Sequence, residues 1–354
     1  MPGGATYSAA GVDIAAGERA VGLLRAAVDR TARPEVVGGL GGFAGLFRAD
    51  ALAGMRRPLL ATSTDGVGTK VAVAQRLDRH DTIGLDLVAM VVDDLVVCGA
   101  EPLFLTDYLA CGRLVPERVA TIVGGVAAGC VQAGCALLGG ETAEHPGLLG
   151  PDEYDLAGAA TGVVDEEDLL GAHRVRAGDV VVALAASGLH ANGYSLVRHV
   201  FFERAGWDVH RPVPEFGRSL GEELLEPTRI YALDCLELAR TLDVHAMAHV
   251  TGGGLAGNLA RVLPDGVTAR LDRGTWSPPP VVEVLAGVGG VALPELERTV
   301  NMGVGMAVVL ARSDADAALR LLAARGLAAW VCGEVVAGPL GPGRVELVGR
   351  YRPG

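Results

Sequence analysis

Lysine is almost missing from this chain of 354 residues: of its 30 basic side chains only Lys70 is a lysine, and the rest are arginine. Asparagine is nearly as scarce, occurring only as Asn192, Asn258 and Asn301, and aromatic residues make up 4% of the sequence. A core with so few rings must be built from Val, Leu and Ala, the composition of α/β layers, and a hydrophobic share of 50% is enough for it. Surplus positive charge is absent too. A formal net charge of −12 argues against a nucleic-acid backbone as the main partner, because neutralising phosphates along a strand needs a cationic excess. Small anionic ligands are compatible with it, since a metal ion and backbone amides can hold phosphates inside an acidic protein.

Other absences bound compartment and class. The six cysteines, Cys98, Cys111, Cys130, Cys135, Cys235 and Cys332, show no paired metal-ligand spacing and read as buried free thiols of a reducing cytoplasm. No basic region followed by an apolar core opens the chain, so no export signal is expected. Val119 to Gly140 carries no charge and is long enough to span a bilayer. Pro116 and Glu117 nevertheless mark a helix start and Gly134 a helix stop before a strand at Cys135 to Gly139, which predicts a buried helix and a strand rather than a membrane segment.

What the chain has in excess is glycine, 51 residues with no collagen-like period, which must serve turns and close backbone approaches. Strands are expected at Pro58 to Thr64, Pro102 to Ala110 and Tyr154 to Val164, and a helix at Asp81 to Gly99. The run Asp165-Glu166-Glu167-Asp168 followed by Gly171 divides the chain into domains at 1–168 and 169–354. The second domain alternates again: strands at Asp179 to Ala185, His245 to Thr251, Gly303 to Ala311, Trp330 to Val336 and Val345 to Val348, with helices at Tyr194 to Ala205, Thr228 to Thr241 and Ser313 to Arg325. Pro227 suits the start of the second helix and Ser313 the cap of the third; Arg33 to Phe47 and Arg211 to Gly217 read as loops.

Several clusters point to phosphate chemistry. Lys70 ends the glycine-rich turn Thr64-Asp65-Gly66-Val67-Gly68-Thr69-Lys70, where a compact ammonium can sit against one phosphate oxygen as a point charge. The asparagines lie beside glycines, in His190-Ala191-Asn192-Gly193, near Gly252-Gly253-Gly254 and in Asn301-Met302-Gly303; turn chemistry accounts for each singly, and their joint placement favours ligand contact. In the apolar helix from Asp81, the adjacent Asp93 and Asp94 call for a compensating cation, whereas Asp86 is expected to meet an arginine or solvent. Asp65 and Glu141 each follow a strand, and with Asp94 they supply oxygen ligands suited to Mg²⁺, which prefers carboxylates plus nucleotide phosphates; Glu144 reads as an exposed loop acid. The loop Val36 to Gly45, with Gly39, Gly41 and Gly42, is rich enough in glycine to wrap a triphosphate, but it matches neither a dinucleotide fingerprint nor a Walker A sequence. His190 suits a proton shuttle or a phosphate donor, with capping of the following helix as its alternative.

Taken together these segments resemble the phosphoribosylformylglycinamidine cyclo-ligase family, also called aminoimidazole ribonucleotide synthetases. The match runs from Tyr7 and Ala10-Gly11-Val12-Asp13-Ile14 through Arg33-Pro34-Glu35-Val36, the Lys70 turn, His80-Asp81-Thr82-Ile83-Gly84, Gly99-Ala100-Glu101-Pro102-Leu103 and the Glu141 and His190 motifs. It continues through Pro227-Thr228-Arg229-Ile230-Tyr231, His249-Val250-Thr251-Gly252-Gly253-Gly254 and Asn301 to Met306. The resemblance implies two α/β domains, each a mixed sheet packed with helices, in a cytoplasmic homodimer whose N-terminal sheets pair. It also implies ATP-dependent closure of an imidazole ring on formylglycinamidine ribonucleotide, with ADP and phosphate released. By resemblance, ATP and Mg²⁺ belong near Gly39, Gly41, Gly42, Asp65, Lys70, Asp94, Gly140 and Glu141. The substrate belongs near Ser187, Gly188, His190, Asn192, Thr251, Gly252 and Gly253, and Lys70, Asp94 and His190 are the expected catalytic residues.

Three positions depart from the family pattern: His145 replaces methionine, Asp93 asparagine and Ala191 serine. Other ATP-using members of the superfamily are the alternatives, as is a nucleotide-binding scaffold that has lost catalysis. A selenophosphate synthetase would need a reactive cysteine or selenocysteine near its start, yet the first cysteine is Cys98. A thiamine-monophosphate kinase leaves the His190 and Asn301 motifs without a role.

Overall fold

The stretch after Val115, charged only at Glu117 and Arg118, folds as a helix because both its ends are specified. Pro116 takes the first helical position, where a missing N–H costs nothing, and Gly134 closes the helix in the left-handed conformation at φ +72°, which only glycine adopts without strain. The computed structural model describes residues 11–39 and 41–353; Tyr7, Ala10 and Leu40 of the motifs above lie outside them. No helix among the described residues is long and apolar enough to cross a membrane.

The first half contains α1 (Ile14–Asp29), a small antiparallel pair β1 (Val36–Val37) and β2 (Leu46–Phe47), β3 (Pro58–Gly66), α2 (Val71–Leu77), α3 (Ile83–Val96), β4 (Glu101–Cys111), α4 (Pro116–Ala133), β5 (Ala136–Glu144) and β6 (Tyr154–Asp165). Four strands form a mixed sheet in the order β3-β6-β4-β5. β4 and β5 run parallel and are joined through α4, as a parallel pair requires, while the other pairings are antiparallel. α3 and α4 cover one face of this sheet. On the other face Leu60 and Tyr108 are 66% and 42% exposed, and no helix among the described residues covers them.

The second half adds β7 (Val180–Ala185), α5 (Tyr194–Arg198), the short pair β8 (Pro212–Val213) and β9 (Arg218–Ser219), α6 (Leu220–Leu224), α7 (Ala232–Thr241) and β10 (Val244–His249). It is completed by α8 (Gly254–Ala260), β11 (Val267–Asp272), α9 (Pro280–Gly289), α10 (Leu293–Thr299), β12 (Val304–Leu310), α11 (Ala315–Ala324), β13 (Ala329–Ala337) and β14 (Arg344–Val348). Its six-stranded sheet runs β10-β12-β7-β13-β11-β14. Period-two alternation sorts its side chains between two cores: Val180, Val182 and Leu184 face a core continuous with that of the first half, and Val181 and Ala183 face a second core with Trp276. α3 is buried on nearly every side between the two halves.

Two helix starts differ from expectation. α7 begins at Ala232 rather than Thr228, and the preceding N–H groups of Thr228 and Tyr231 donate to the carboxylates of Asp86 and Asp93. Ser313 does not cap α11, which starts at Ala315 with no side-chain cap. The helix from Tyr194 continues past Arg198 as wider π-helical turns to Arg204.

Candidate active site

Lys70 turns inward. Its side chain is wholly buried, and Nζ donates to Asp86 Oδ1 at 2.8 Å and to the carbonyl oxygens of His190 at 2.9 Å and Glu226 at 2.6 Å. Three acceptors consume the three hydrogens of an ammonium, so the group is charged even though burial pulls its pKa down against the opposing charge of Asp86. Asp86 is its partner rather than that of an arginine or of solvent: Oδ1 also accepts the N–H of Thr228 at 2.8 Å and its hydroxyl at 2.6 Å. Burial pushes the Asp86 carboxyl up, and Lys70 holds it down. The expectation of a phosphate contact is therefore corrected, because no donor on Nζ is left for one. Scarcity in the sequence picked out the residue but carried no information on which way it points.

The other acids of α3 also face the second half. Asp93 is buried and accepts the Tyr231 N–H on both oxygens, at 3.0 and 3.2 Å. Burial pushes its carboxyl up to about 7, against the pull of the His249 charge and the Tyr231 N–H. It is thus a backbone anchor and not one of a cation-binding pair. Asp94 is more open, with its side chain 43% exposed, and its Oδ1 lies 2.9 Å from His249 Nδ1. Burial pulls His249 down, but the Asp94 hydrogen bond and the charges of Asp93, Asp94 and Asp65 outweigh it and leave the imidazole above its ordinary value. Asp65 is raised by burial, with the Gly66 N–H opposing and Asp94 adding to the rise. Asp65, Asp94 and His249 therefore form one electrostatic group at the seam between the halves. The sequence marked the two acids as ligands, and the histidine only as the first residue of the His249 to Gly254 motif.

Beside this group lies a cleft of about 490 Å³, walled by Asp65 to Thr69 and Met90 on one side and by Ala191 to Leu196 on the other. Asn192 lines it, and its Oδ1 accepts the Gly252 N–H at 3.0 Å. Ser187 Oγ donates to the Pro227 carbonyl and accepts the Arg229 N–H. The Gly188 carbonyl accepts from Asn301 Nδ2, and Asn258 Nδ2 donates to the carbonyls of Thr251, Gly252 and Gly254. Asn192 and Gly252 are thus tied together, Ser187, Gly188 and Thr251 are held by other partners, and Gly253 is held through its N–H to the Arg298 carbonyl; of these residues only Asn192 lines the cleft. Of the three asparagines, two are clamps on turns, which corrects the expectation of joint ligand contact.

The capping alternative for His190 is also corrected. The residue is buried at φ +64°, Nε2 accepts the Ser187 N–H at 3.3 Å, and the protonated Nδ1 this implies has no partner among the described residues. Burial, then the charges of His249 and Lys70, pull its pKa well below the ordinary value. α5 follows Gly193 with no side-chain cap, so His190 is no helix cap.

A larger cleft, about 580 Å³, opens between α1 and the edge strand β5. Gly41, Gly42, Gly140 and Glu141 line it, while Gly39 does not, and Asp107 was not foreseen. Asp107 Oδ2 is sealed from solvent with no partner among the described residues, and desolvation pushes the carboxyl up to about 7. A Cβ on Gly140 would overlap Asp107 Oδ1, so only glycine fits opposite it. Glu144 is no free loop acid, since it accepts the N–H groups of Asp13 and Leu114.

In strand register Asp65, Gly158, Asp107 and Gly140 form one row across the sheet. β3 and β5 are its opposite edges, so Asp65 and Glu141 stand three strand spacings apart, roughly 14 Å. They do not share a site within one chain, and no group of three metal-binding side chains is assembled among the described residues. This corrects the expectation of one Mg²⁺ site from Asp65, Asp94 and Glu141, which strand ends suggested without strand order.

Comparison with known proteins gives the class first. Residues 50–164 match the model of the AIR synthase related protein N-terminal domain, and residues 176–345 that of the C-terminal domain. Solved structures agree at the level of fold: thiamine-monophosphate kinase from Stenotrophomonas maltophilia superposes with a TM-score of 0.68 at 21% identity, covering 93% of this chain and 96% of its own. The hydrogenase maturation protein HypE in complex with ATP gives 0.64 at 18%, covering 94% and 91%. The particular relatives are closer in sequence. A phosphoribosylformylglycinamidine cyclo-ligase of Geobacillus kaustophilus is 50% identical over 94% of this chain and 96% of its own length. One of Thermosynechococcus vestitus is 53% identical over the same shares. The chain belongs to this cyclo-ligase family of the AIR synthases, ligases of purine biosynthesis that form a carbon–nitrogen bond.

Proposed function

We propose that the larger cleft takes ATP and the seam cleft takes formylglycinamidine ribonucleotide. The observation that carries the first assignment is the unpartnered Asp107 carboxylate beside Gly140 and Glu141, under a loop presenting Gly41 and Gly42. Backbone amides there suit a polyphosphate, and an oxygen without a donor suits a cation. Asp107 and Glu141 would hold Mg²⁺, which needs only one or two carboxylates when it travels with a nucleotide and which neutralises phosphate charge. Around the seam cleft, Thr69, Asn192 and Ser195 offer polar groups to a ribonucleotide.

In the reaction, the formyl oxygen attacks the γ-phosphorus and ADP leaves, giving a phosphorylated imidate. A substrate nitrogen then attacks the imidate carbon, loses its proton, and expels phosphate as the ring closes. Such chemistry asks the protein for positioning and charge neutralisation more than for a nucleophile. We further propose a cytoplasmic homodimer that pairs the uncovered sheet faces carrying Leu60 and Tyr108, because the two clefts of one chain open at opposite edges of that sheet. A coupled assay for phosphate and aminoimidazole ribonucleotide tests the reading. Equal amounts of both are expected, and ATP turnover without ring closure would point to another member of the superfamily.

A further inference from the structure

The buried polar groups left over by this reaction converge beneath the seam cleft. Lys70 directly follows the Gly66–Thr69 turn that forms one wall, yet two of its three hydrogen bonds go to carbonyls of the other half, at His190 and Glu226. His190 in turn precedes Ala191 and Asn192, which form the opposite wall. Asp86 reaches the same segment through the N–H and hydroxyl of Thr228, and the carbonyl of Pro227 between these contacts receives Ser187 Oγ. The walls are thus joined through one dry array.

We propose that Lys70, Asp86 and Thr228 are positioning residues that set the separation of the two walls, and hence the fit of the ribonucleotide between them. The proposal rests on the assignment of that substrate to the seam cleft. A buried ion pair adds little net stability over a hydrophobic pair of similar size, so its value here is directional. An ammonium aims three bonds at three fixed points around a single nitrogen, in a low-dielectric setting where hydrogen bonds are stiff. Arginine spreads its donors over a planar fork and cannot reproduce that geometry. In a chain that uses arginine at its other basic positions, this is where the fork fails.

The test compares Thr228→Val, Thr228→Ser and the double variant Lys70→Met/Asp86→Leu, which removes the charge pair without stranding either partner. Measurements are KM for formylglycinamidine ribonucleotide and for ATP, kcat, melting temperature, and amide exchange in residues 187–196 and 226–231. Thr228→Val loses one hydrogen bond and should raise the ribonucleotide KM roughly three- to tenfold. ATP KM should stay within about twofold, and Thr228→Ser should match wild type. The double variant should raise the ribonucleotide KM further and speed exchange in both segments. Wild-type ribonucleotide KM and exchange in both Thr228→Val and the double variant would overturn the proposal, as would an equal rise in both KM values. Asn192→Ala separates the two layers of inference. If it leaves the ribonucleotide KM unchanged, the cleft assignment fails; if it raises KM while the Thr228 and double variants do not, only the positioning role fails.

Discussion

A histidine held neutral in a dry loop weakens a protein in acid. His190 has its pKa pulled well below the ordinary imidazole value by burial. The unfolded chain therefore binds the proton first, and the stability this group contributes is fully present above about pH 6.5 and lost as pH falls below it. Melting temperature between pH 7.5 and 5.5 should fall more steeply for wild type than for His190→Asn, a residue that tolerates the positive φ. Parallel slopes would show that another group governs the acid limb. Gly140 carries a second prediction at this scale: Gly140→Ala drives a methyl group into Asp107 Oδ1 and should weaken ATP binding by roughly tenfold or more, read by calorimetry, alongside an overpacking cost of about 1–3 kcal/mol in stability. The sequence made Lys70, His190 and the acids conspicuous through scarcity and setting. It left their direction open, because the partners that decide it, Glu226, Thr228 and Tyr231, are remote in the chain and reach them through backbone groups.

Elements were most legible where their ends carry chemistry. Pro116 and Gly134 specify α4, and continuous apolar runs such as Val180 to Ala185 specify the central strands, which are buried on both faces. Several elements escaped. α1 keeps Ile14 and Leu23 exposed, so it lacks a clean apolar face, and β11 is only six residues long, although its Val267, Ala269 and Leu271 alternate with Thr268, Arg270 and Asp272 as a strand should. Residues 228–231 precede α7, and the N–H groups of Thr228 and Tyr231 are satisfied by the buried carboxylates of Asp86 and Asp93, partners that no sequence pattern revealed. Tyr231 shows how firmly this segment is fixed, since its hydroxyl donates to the Ala185 carbonyl at the end of β7 at 2.7 Å. Tyr231→Phe keeps the packing and removes that bond, so it should cost about 1 kcal/mol in urea unfolding. An unchanged midpoint would mean that Asp86, Asp93 and Ser187 hold the segment without help from this bond.

At the scale of the whole molecule, the alternation of strands and helices foretold two α/β layers, but strand order was beyond a single sequence because pairing depends on contacts distant along the chain. That order decides the chemistry. It separates Asp65 from Glu141 by the width of a four-stranded sheet and leaves the proposed nucleotide and ribonucleotide clefts opening at opposite edges. A γ-phosphate and a formyl oxygen must touch to react, and a two-fold axis through the uncovered face would bring one protomer's ATP to its partner's ribonucleotide. The arrangement predicts complementation between two impaired proteins, Gly140→Ala in the first cleft and Asn192→Ala in the second. When subunits are exchanged at equal concentration, half the dimers are mixed, and each mixed dimer carries one site built from two intact clefts, so about a quarter of wild-type turnover should return. Size-exclusion chromatography with light scattering should report twice the chain mass of 36.3 kDa for both variants and for the mixture. If activity stays at the average of the two variants after exchange has been verified, ATP and ribonucleotide meet within one chain, and the paired sheets serve stability rather than catalysis.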